Sequence, residues 1–305
     1  MDNPSTLLKV HELSIYHETM SGNFVPIVKD ISFSIRKGDR FALVGESGSG
    51  KTMISKAITS FLPKKCTVSG KILFDDTDLS TLSPKDIHKL RGKRISYIPQ
   101  NAMGALTPSM KVGTQLTEPL IHHLGLSKEE AFEKALNLLE NVKIANPRRC
   151  LSLYPFELSG GMRQRIVIAI ALSCKPDLII ADEPTTALDS VSQWKVLSIL
   201  NNLSKRYQSS LFLITHNLSI VPELCEYVAV MQSGNIIEIG PVKKVFSSPA
   251  HPYTQKLLDS FTKIPWAIHH HKRILTTSNK CSESENTTLL HNVTLLEEPV
   301  TTTNY

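Results

Sequence analysis

The stretch RFALVGESGSGKTMISKAI, residues 40–58, decides the fold. An apolar strand at 41–44 runs through a glycine-rich turn into a helix. Its centre, GESGSGKT, comprises Gly45, Glu46, Ser47, Gly48, Ser49, Gly50, Lys51 and Thr52 and satisfies GxxxxGK[ST] at every position. A strand before and a helix after are the context that this motif requires. Glycines let the backbone curl until successive N–H groups face one anion, and the helix start adds partial positive charge. Lys51 has the reach for β- and γ-phosphates, and the Thr52 hydroxyl suits Mg²⁺. A nucleoside triphosphate is therefore expected, with its use left open.

Working outward, DLIIADE at 177–183 supplies a second apolar strand that ends on two carboxylates. Asp182 can hold the magnesium, directly or through water. Glu183, one residue on, can orient and deprotonate an attacking water. Alternating segments LLKVHELSIY and KDISFSIRKG form an early β region. RISYIPQ, SLFLIT, YVAVMQ and NIIEIG are further strands, and 160–173 and 190–206 read as helices. Between 101 and 157 the character changes. Here Ser127 and Glu130 form a capping box, and Ala131, Phe132, Ala135, Leu138, Leu139 and Val142 recur at helical spacing. The pattern predicts a mostly parallel, doubly covered α/β sheet with an N-terminal antiparallel region and a helical insertion.

Composition excludes several classes. No run of 18 apolar residues spans a bilayer, and the start lacks the layout of a secretory signal. The cysteines, five in number and without a CxxC pair, argue against a disulfide framework or zinc site and suit a reducing compartment. A net charge of +6 suits nucleotide, anionic lipid and nucleic acid equally. From about Thr262 the chain is polar and threonine-rich, so 1–261 is expected to form the folded unit and 262–305 a loosely ordered tail. His269–His271 in that tail are a weak metal signal beside a solvated reading.

GESGSGKT, Gln100 in YIPQ, LSGGM at 158–162, LIIADE, TTALD and ITH occur in this order. The set resembles the ATP-binding subunit of ABC transporters, over about residues 7–260. The resemblance implies a P-loop NTPase of the ABC type, an ATPase that uses Mg²⁺. It implies that Ser159, Gly160 and Gly161 contact the γ-phosphate of ATP held by a second subunit. A bare helix start lets a phosphate approach closely. Gln100 is similar to the glutamine that touches magnesium and water and leads into the helical insertion. Asp189, in Ala187–Asp189, resembles the loop crossing the dimer interface, and His216 the histidine that senses the γ-phosphate. An aromatic residue late in the first strand stacks on adenine in this family. Tyr16 and His17 are adjacent, strand alternation lets only one face the base, and Tyr16 is preferred.

SSPAHPYTQKLLDS at 247–260 is similar to the segment after the ATPase core in the oligopeptide, dipeptide and nickel importer subfamily. YPFELSGGMRQR, with Met162, and GALTP look like the same group. One departure is the lack of a cysteine-rich stretch: Cys281 alone cannot hold an iron–sulfur cluster, which leaves room for nickel or a metallophore. The expected partners are transmembrane permease subunits, a second ATP-binding subunit (a heterodimer or a homodimer) and, indirectly, an external binding protein, at the cytoplasmic face of the inner membrane. Two other readings are an ABC ATPase acting on nucleic acid or ribosomes and a non-hydrolysing interaction subunit. The first lacks long coiled coils or a second cassette, so no nucleic acid is expected; intact Glu183 and His216 oppose the second.

Overall fold

A computed structural model describes residues 5–185 and 189–262 of the chain. The strands in chain order are β1 (Thr6–Glu18), β2 (Phe24–Arg36), β3 (Arg40–Val44), β4 (Cys66–Phe74), β5 (Thr77–Asp78), β6 (Ile95–Ile98), β7 (Leu178–Asp182), β8 (Ser210–Thr215), β9 (Tyr227–Gln232) and β10 (Asn235–Pro241). The helices are α1 (Lys51–Ile58), α2 (Pro84–Leu90), α3 (Ala102–Ala105), α4 (Val112–Leu124), α5 (Lys128–Asn141), α6 (Pro147–Ser152), α7 (Gly160–Leu172), α8 (Ser190–Arg206), α9 (Val221–Leu224), α10 (Val242–Ser247) and α11 (Pro252–Thr262). One sheet has the order β2-β1-β4-β5 and is antiparallel. The other has the order β10-β9-β3-β8-β7-β6 and is parallel apart from the β9–β10 hairpin.

The central strands are apolar on both faces because both faces are covered. Phe41 and Leu43 of β3, Phe212 and Ile214 of β8, and Leu178 and Ile180 of β7 point into one core with β1, β2 and α1. Phe33 of β2 stacks on Phe41 there, ring centroids 5.2 Å apart. Their neighbours Ala42, Val44, Leu211, Leu213, Ile179 and Ala181 point the other way, into a core shared with α4, α5, α7 and α8. Side chains alternate along a strand, so one apolar run serves two cores.

Helices α3, α4, α5 and α6 fill the stretch between β6 and the 3₁₀ turn at 155–157. The capping box of α5 forms: the Ser127 hydroxyl accepts from the Glu130 N–H at 3.1 Å, and a Glu130 carboxylate oxygen accepts from the Ser127 N–H at 2.8 Å. The expected apolar face needs one correction. Phe132 is exposed, with Arg148 5.7 Å over its ring, and Leu136 is buried. Residues 131, 135, 138, 139 and 142 share one stripe, and position 132 lies about 100° round the helix from 131. Among the described residues no helix is long and apolar enough to cross a membrane.

Parallel pairing sets the position of the site. Strands β6, β7, β8 and β3 run the same way, with Ile98 level with Ala181, Asp182 with Ile214, and Val44 with Thr215. The loops that follow them therefore emerge at one sheet edge, the usual ligand edge of such sheets.

Candidate functional site

The loop 45–50 leaves central β3 and enters α1 at Lys51. It is wedged against β9 and β2. Gly45 has φ +154°, and a Cβ built there would stand 2.2 Å from the Met231 carbonyl oxygen. At Gly50, φ +106°, a Cβ would meet Met231 Cε at 3.0 Å and the Ile27 carbonyl oxygen at 3.1 Å. Gly45→Ala is accordingly expected to cost about 1–3 kcal/mol of stability, with weakened nucleotide binding. A thermal melt checks it, and an unchanged melting temperature would show that the loop yields freely.

Lys51 is buried inside this loop. Its Nζ donates to the carbonyls of Gly45 and Glu46 at 2.9 and 2.7 Å and to the Ser49 hydroxyl at 3.3 Å. Burial pushes the ammonium below its ordinary value, against the opposing pull of the Glu183, Asp182 and Glu46 carboxylates.

The neighbouring residues Asp182 and Glu183 would face opposite sides in a regular strand. Here Glu183 adopts φ +46°, and its N–H donates to the Ile214 carbonyl at 2.8 Å. This left-handed turn, disfavoured for a residue with a side chain, lets both carboxylates serve the same edge.

Asp182 is 1% exposed. Its Oδ1 accepts from the Thr52 hydroxyl at 3.2 Å, and its Oδ2 from the Ser55 and Tyr97 hydroxyls at 3.2 and 3.0 Å. Burial pushes the Asp182 carboxyl up, and those hydroxyls pull it back. A buried carboxylate beside a threonine hydroxyl is a hard-oxygen donor set that fits a magnesium ion. Glu183 Oε2 accepts from Gln100 Nε2 at 2.7 Å, and Oε1 lies 2.8 Å from His216 Nδ1. With Glu183 ionised, its carboxylate only accepts, and His216 Nδ1 is then the donor. The structure thus brings Gln100, Glu183 and His216, taken from three loops, into one hydrogen-bonded group. Such a group can hold and orient a carboxylate that takes a proton.

Other sequence candidates lie apart from this group. Ser159 caps α7, its hydroxyl accepting from the Met162 N–H at 3.3 Å. Among the described residues no hydrogen bond joins Ser159, Gly160 or Gly161 to residues 45–52. Arg163 and Arg165 are spent on backbone carbonyls, of Pro155 at 2.7 Å and Lys143 at 2.6 Å. Asp189 caps α8, accepting from the N–H groups of Val191 and Ser192 at 3.1 and 3.0 Å. Ala187, Leu188, Cys281 and His269–His271 lie outside the described residues. Tyr16 is half-buried and level with Pro26 and Thr67, whereas His17 is exposed and level with Val25 and Cys66.

Sequence reasoning missed Ser55, Tyr97 and Tyr253. Ser55 follows Thr52 by three positions, on the same helix face, and so was legible. Tyr97 gave no signal, because strand order alone brings β6 beside β7. Tyr253 comes from α11, and its hydroxyl accepts from the Glu46 N–H at 3.3 Å.

The chain is similar to proteins of known family. A family model described as ABC transporter matches residues 28–186, and one described as the oligopeptide/dipeptide transporter C-terminal region matches residues 237–284. The chain is 45% identical over 256 residues to the oligopeptide transport ATP-binding protein OppD of Bacillus subtilis, covering 83% of this chain and 71% of that protein. It is 44% identical over 260 residues to the dipeptide transport ATP-binding protein DppD of the same organism, covering 85% and 77%. A dimeric post-hydrolysis structure of the ATP-binding cassette MJ0796 with ADP and phosphate bound superposes with a TM-score of 0.69 at 26% identity, over 77% of this chain and 99% of that one. The phosphate loop, the acidic strand end and these likenesses together place the chain in the ABC transporter family, as an ATP-binding subunit whose ATP hydrolysis is coupled to transport.

Proposed function

We propose that this chain powers the import of peptides, with hydrolysis carried out by the group described above. The observation that carries the reading is the joining of Gln100, Glu183 and His216 at the edge that also holds the phosphate loop and the Thr52–Asp182 pair. Residues 45–52 cradle the triphosphate, and Tyr16 stacks on the adenine. Thr52, Asp182 and Gln100 are the residues that would hold Mg²⁺, which when bound neutralises phosphate charge. Glu183 accepts a proton from the attacking water as its oxygen bonds to the γ-phosphorus. The bond from that phosphorus to the bridging oxygen breaks, and ADP leaves with the electron pair. His216 and Gln100 hold the carboxylate in place for this step.

In this reading two ATP-binding subunits close on two nucleotides. Ser159, Gly160, Gly161 and Asp189 of one then meet the ATP of the other. Support comes from the exposed start of α7 and the dimeric cassette that the fold matches. A nearly complete shift from open to closed needs about 5.5 kcal/mol of differential binding, shared between two interfaces. The ATPase unit comprises residues 1–261 and its helical part 101–157 receives the permease subunits; the tail expected over 262–305 lies, past Thr262, outside the described residues. The chain sits on the cytoplasmic face of the membrane, paired with a related ATPase subunit, and a binding protein outside delivers the cargo.

Peptide is the cargo assigned here because the relatives quoted above are named for oligopeptide and dipeptide transport. A strain lacking the chain is expected to lose uptake of labelled peptide and keep uptake of nickel. The wild-type chain should restore peptide uptake and Lys51→Ala should not. Intact peptide uptake with nickel uptake lost would overturn the cargo assignment.

A further inference from the structure

The segment AHPYT, residues 250–254, links β10, α11 and the phosphate loop through its local structure. The Glu238 carboxylate on β10 accepts from the Ala250 and His251 N–H groups at 2.9 and 3.1 Å. Burial works against this carboxylate, and the Ala250 N–H, the Thr254 side chain and the His251 N–H together outweigh it, leaving its carboxyl below the ordinary value. His251 stands where α11 begins: its Nδ1 accepts from the Tyr253 N–H at 3.1 Å, and its carbonyl accepts from the Gln255 N–H at 3.1 Å. Pro252 occupies the first helical position, where a missing N–H costs nothing. Tyr253 is thereby aimed at the phosphate loop, where its hydroxyl meets the Glu46 N–H. Tyr253 and Leu257 also pack against the core that contains Leu218 and Ile220, in the turn just after His216. Helix α11 therefore stands between the two nucleotide-facing loops.

Glu46 is the hinge of this arrangement. Its N–H is held by Tyr253 and its carbonyl by the Lys51 ammonium. To reach a phosphate, Lys51 must give up one of the three acceptors it now holds; besides the 3.3 Å bond from the Ser49 N–H to the Glu46 carbonyl, the loop entrance is then held by the Tyr253 bond. Without it the first residues of the loop gain freedom that nucleotide binding must remove again.

We propose that the HPYT segment braces the phosphate loop, with Tyr253 as a positioning residue that raises nucleotide affinity through the backbone of Glu46. The proposal rests on the reading of residues 45–52 as the nucleotide site. Tyr253→Phe deletes one hydroxyl and keeps the ring that packs on the core. In the full-length chain its Kd for ADP and for ATP is expected to rise about 3- to 10-fold, the worth of one net hydrogen bond. In the assembled transporter KM for ATP should rise by the same factor with kcat within about 2-fold, since the lost interaction serves bound substrate and transition state alike. The melting temperature without nucleotide should fall by no more than about 2–4 °C; a purely structural residue would lower it and leave KM alone.

Glu238→Gln keeps the shape of the anchor and offers an amide N–H to one of the two backbone donors it faces. It lies outside the loop and should weaken nucleotide binding in the same direction, which keeps the proposal testable if Tyr253→Phe folds poorly. Nucleotide affinity in both variants equal to or tighter than wild type would overturn the brace. A wild-type chain that bound no nucleotide would overturn the reading of the loop, and the brace with it.

Discussion

Glu183→Gln is expected to slow ATP hydrolysis by about 10²- to 10⁴-fold, the usual worth of a positioned general base. The amide is nearly isosteric with the carboxylate, so the left-handed turn at 183 and the packing around it should persist. One hydrogen bond changes character. A glutamine offers one acceptor and one donor where Glu183 offers acceptors to both Gln100 and His216. His216 can answer by moving its proton from Nδ1 to the other ring nitrogen. Stability should therefore be close to wild type, and ATP should still bind at residues 45–52. With binding intact and cleavage slow, the closed dimer should accumulate in ATP. Phosphate release measures the first effect and solution mass in the presence of ATP the second. Turnover within a few-fold of wild type would remove Glu183 from its assigned role.

The second large effect concerns Gly161. Its φ is not in the left-handed region, and a Cβ built there meets nothing within 4 Å. Among the described residues nothing thus requires glycine at this position. Gly161→Glu should even favour the isolated chain by about 0.5–1 kcal/mol, because glutamate is a better helix former and an acid suits the first turn of α7. In the closed dimer the same carboxylate would face the partner's triphosphate. ATP hydrolysis by the assembled transporter should fall by roughly 10²-fold or more, in the range seen when an anion-stabilising contact is lost. A thermal melt of the isolated chain and an ATPase assay of the assembly are expected to move in opposite directions. Activity that survived the substitution would mean that residues 159–161 do not meet the nucleotide.

Much of the fold was legible in the sequence for local reasons. Apolar runs such as LIIAD and SLFLIT are long enough only for strands, the glycines of 45–50 mark a turn, and Ser127 with Glu130 writes a helix start. Asp182 and Glu183 were singled out by an apolar strand that ends on two carboxylates, and Gln100 and His216 through a motif order that resembles a known family. Phe132 shows where the local rule was too coarse, since a helical period places a residue on a face only to within one position.

What tertiary structure decided is which of these pieces touch. Parallel pairing of β6, β7, β8 and β3 brings their ends to one edge, although Gln100 and His216 are more than a hundred residues apart in the chain. The turn at Glu183 is held by a hydrogen bond to β8, and neither has any trace in the letters ADEP. The bond from Tyr253 to Glu46 spans 207 residues. Periodicity, capping and turn chemistry act between near neighbours and can be read along a chain. Contacts between distant segments depend on strand order and on the packing of two cores, which only the folded chain sets.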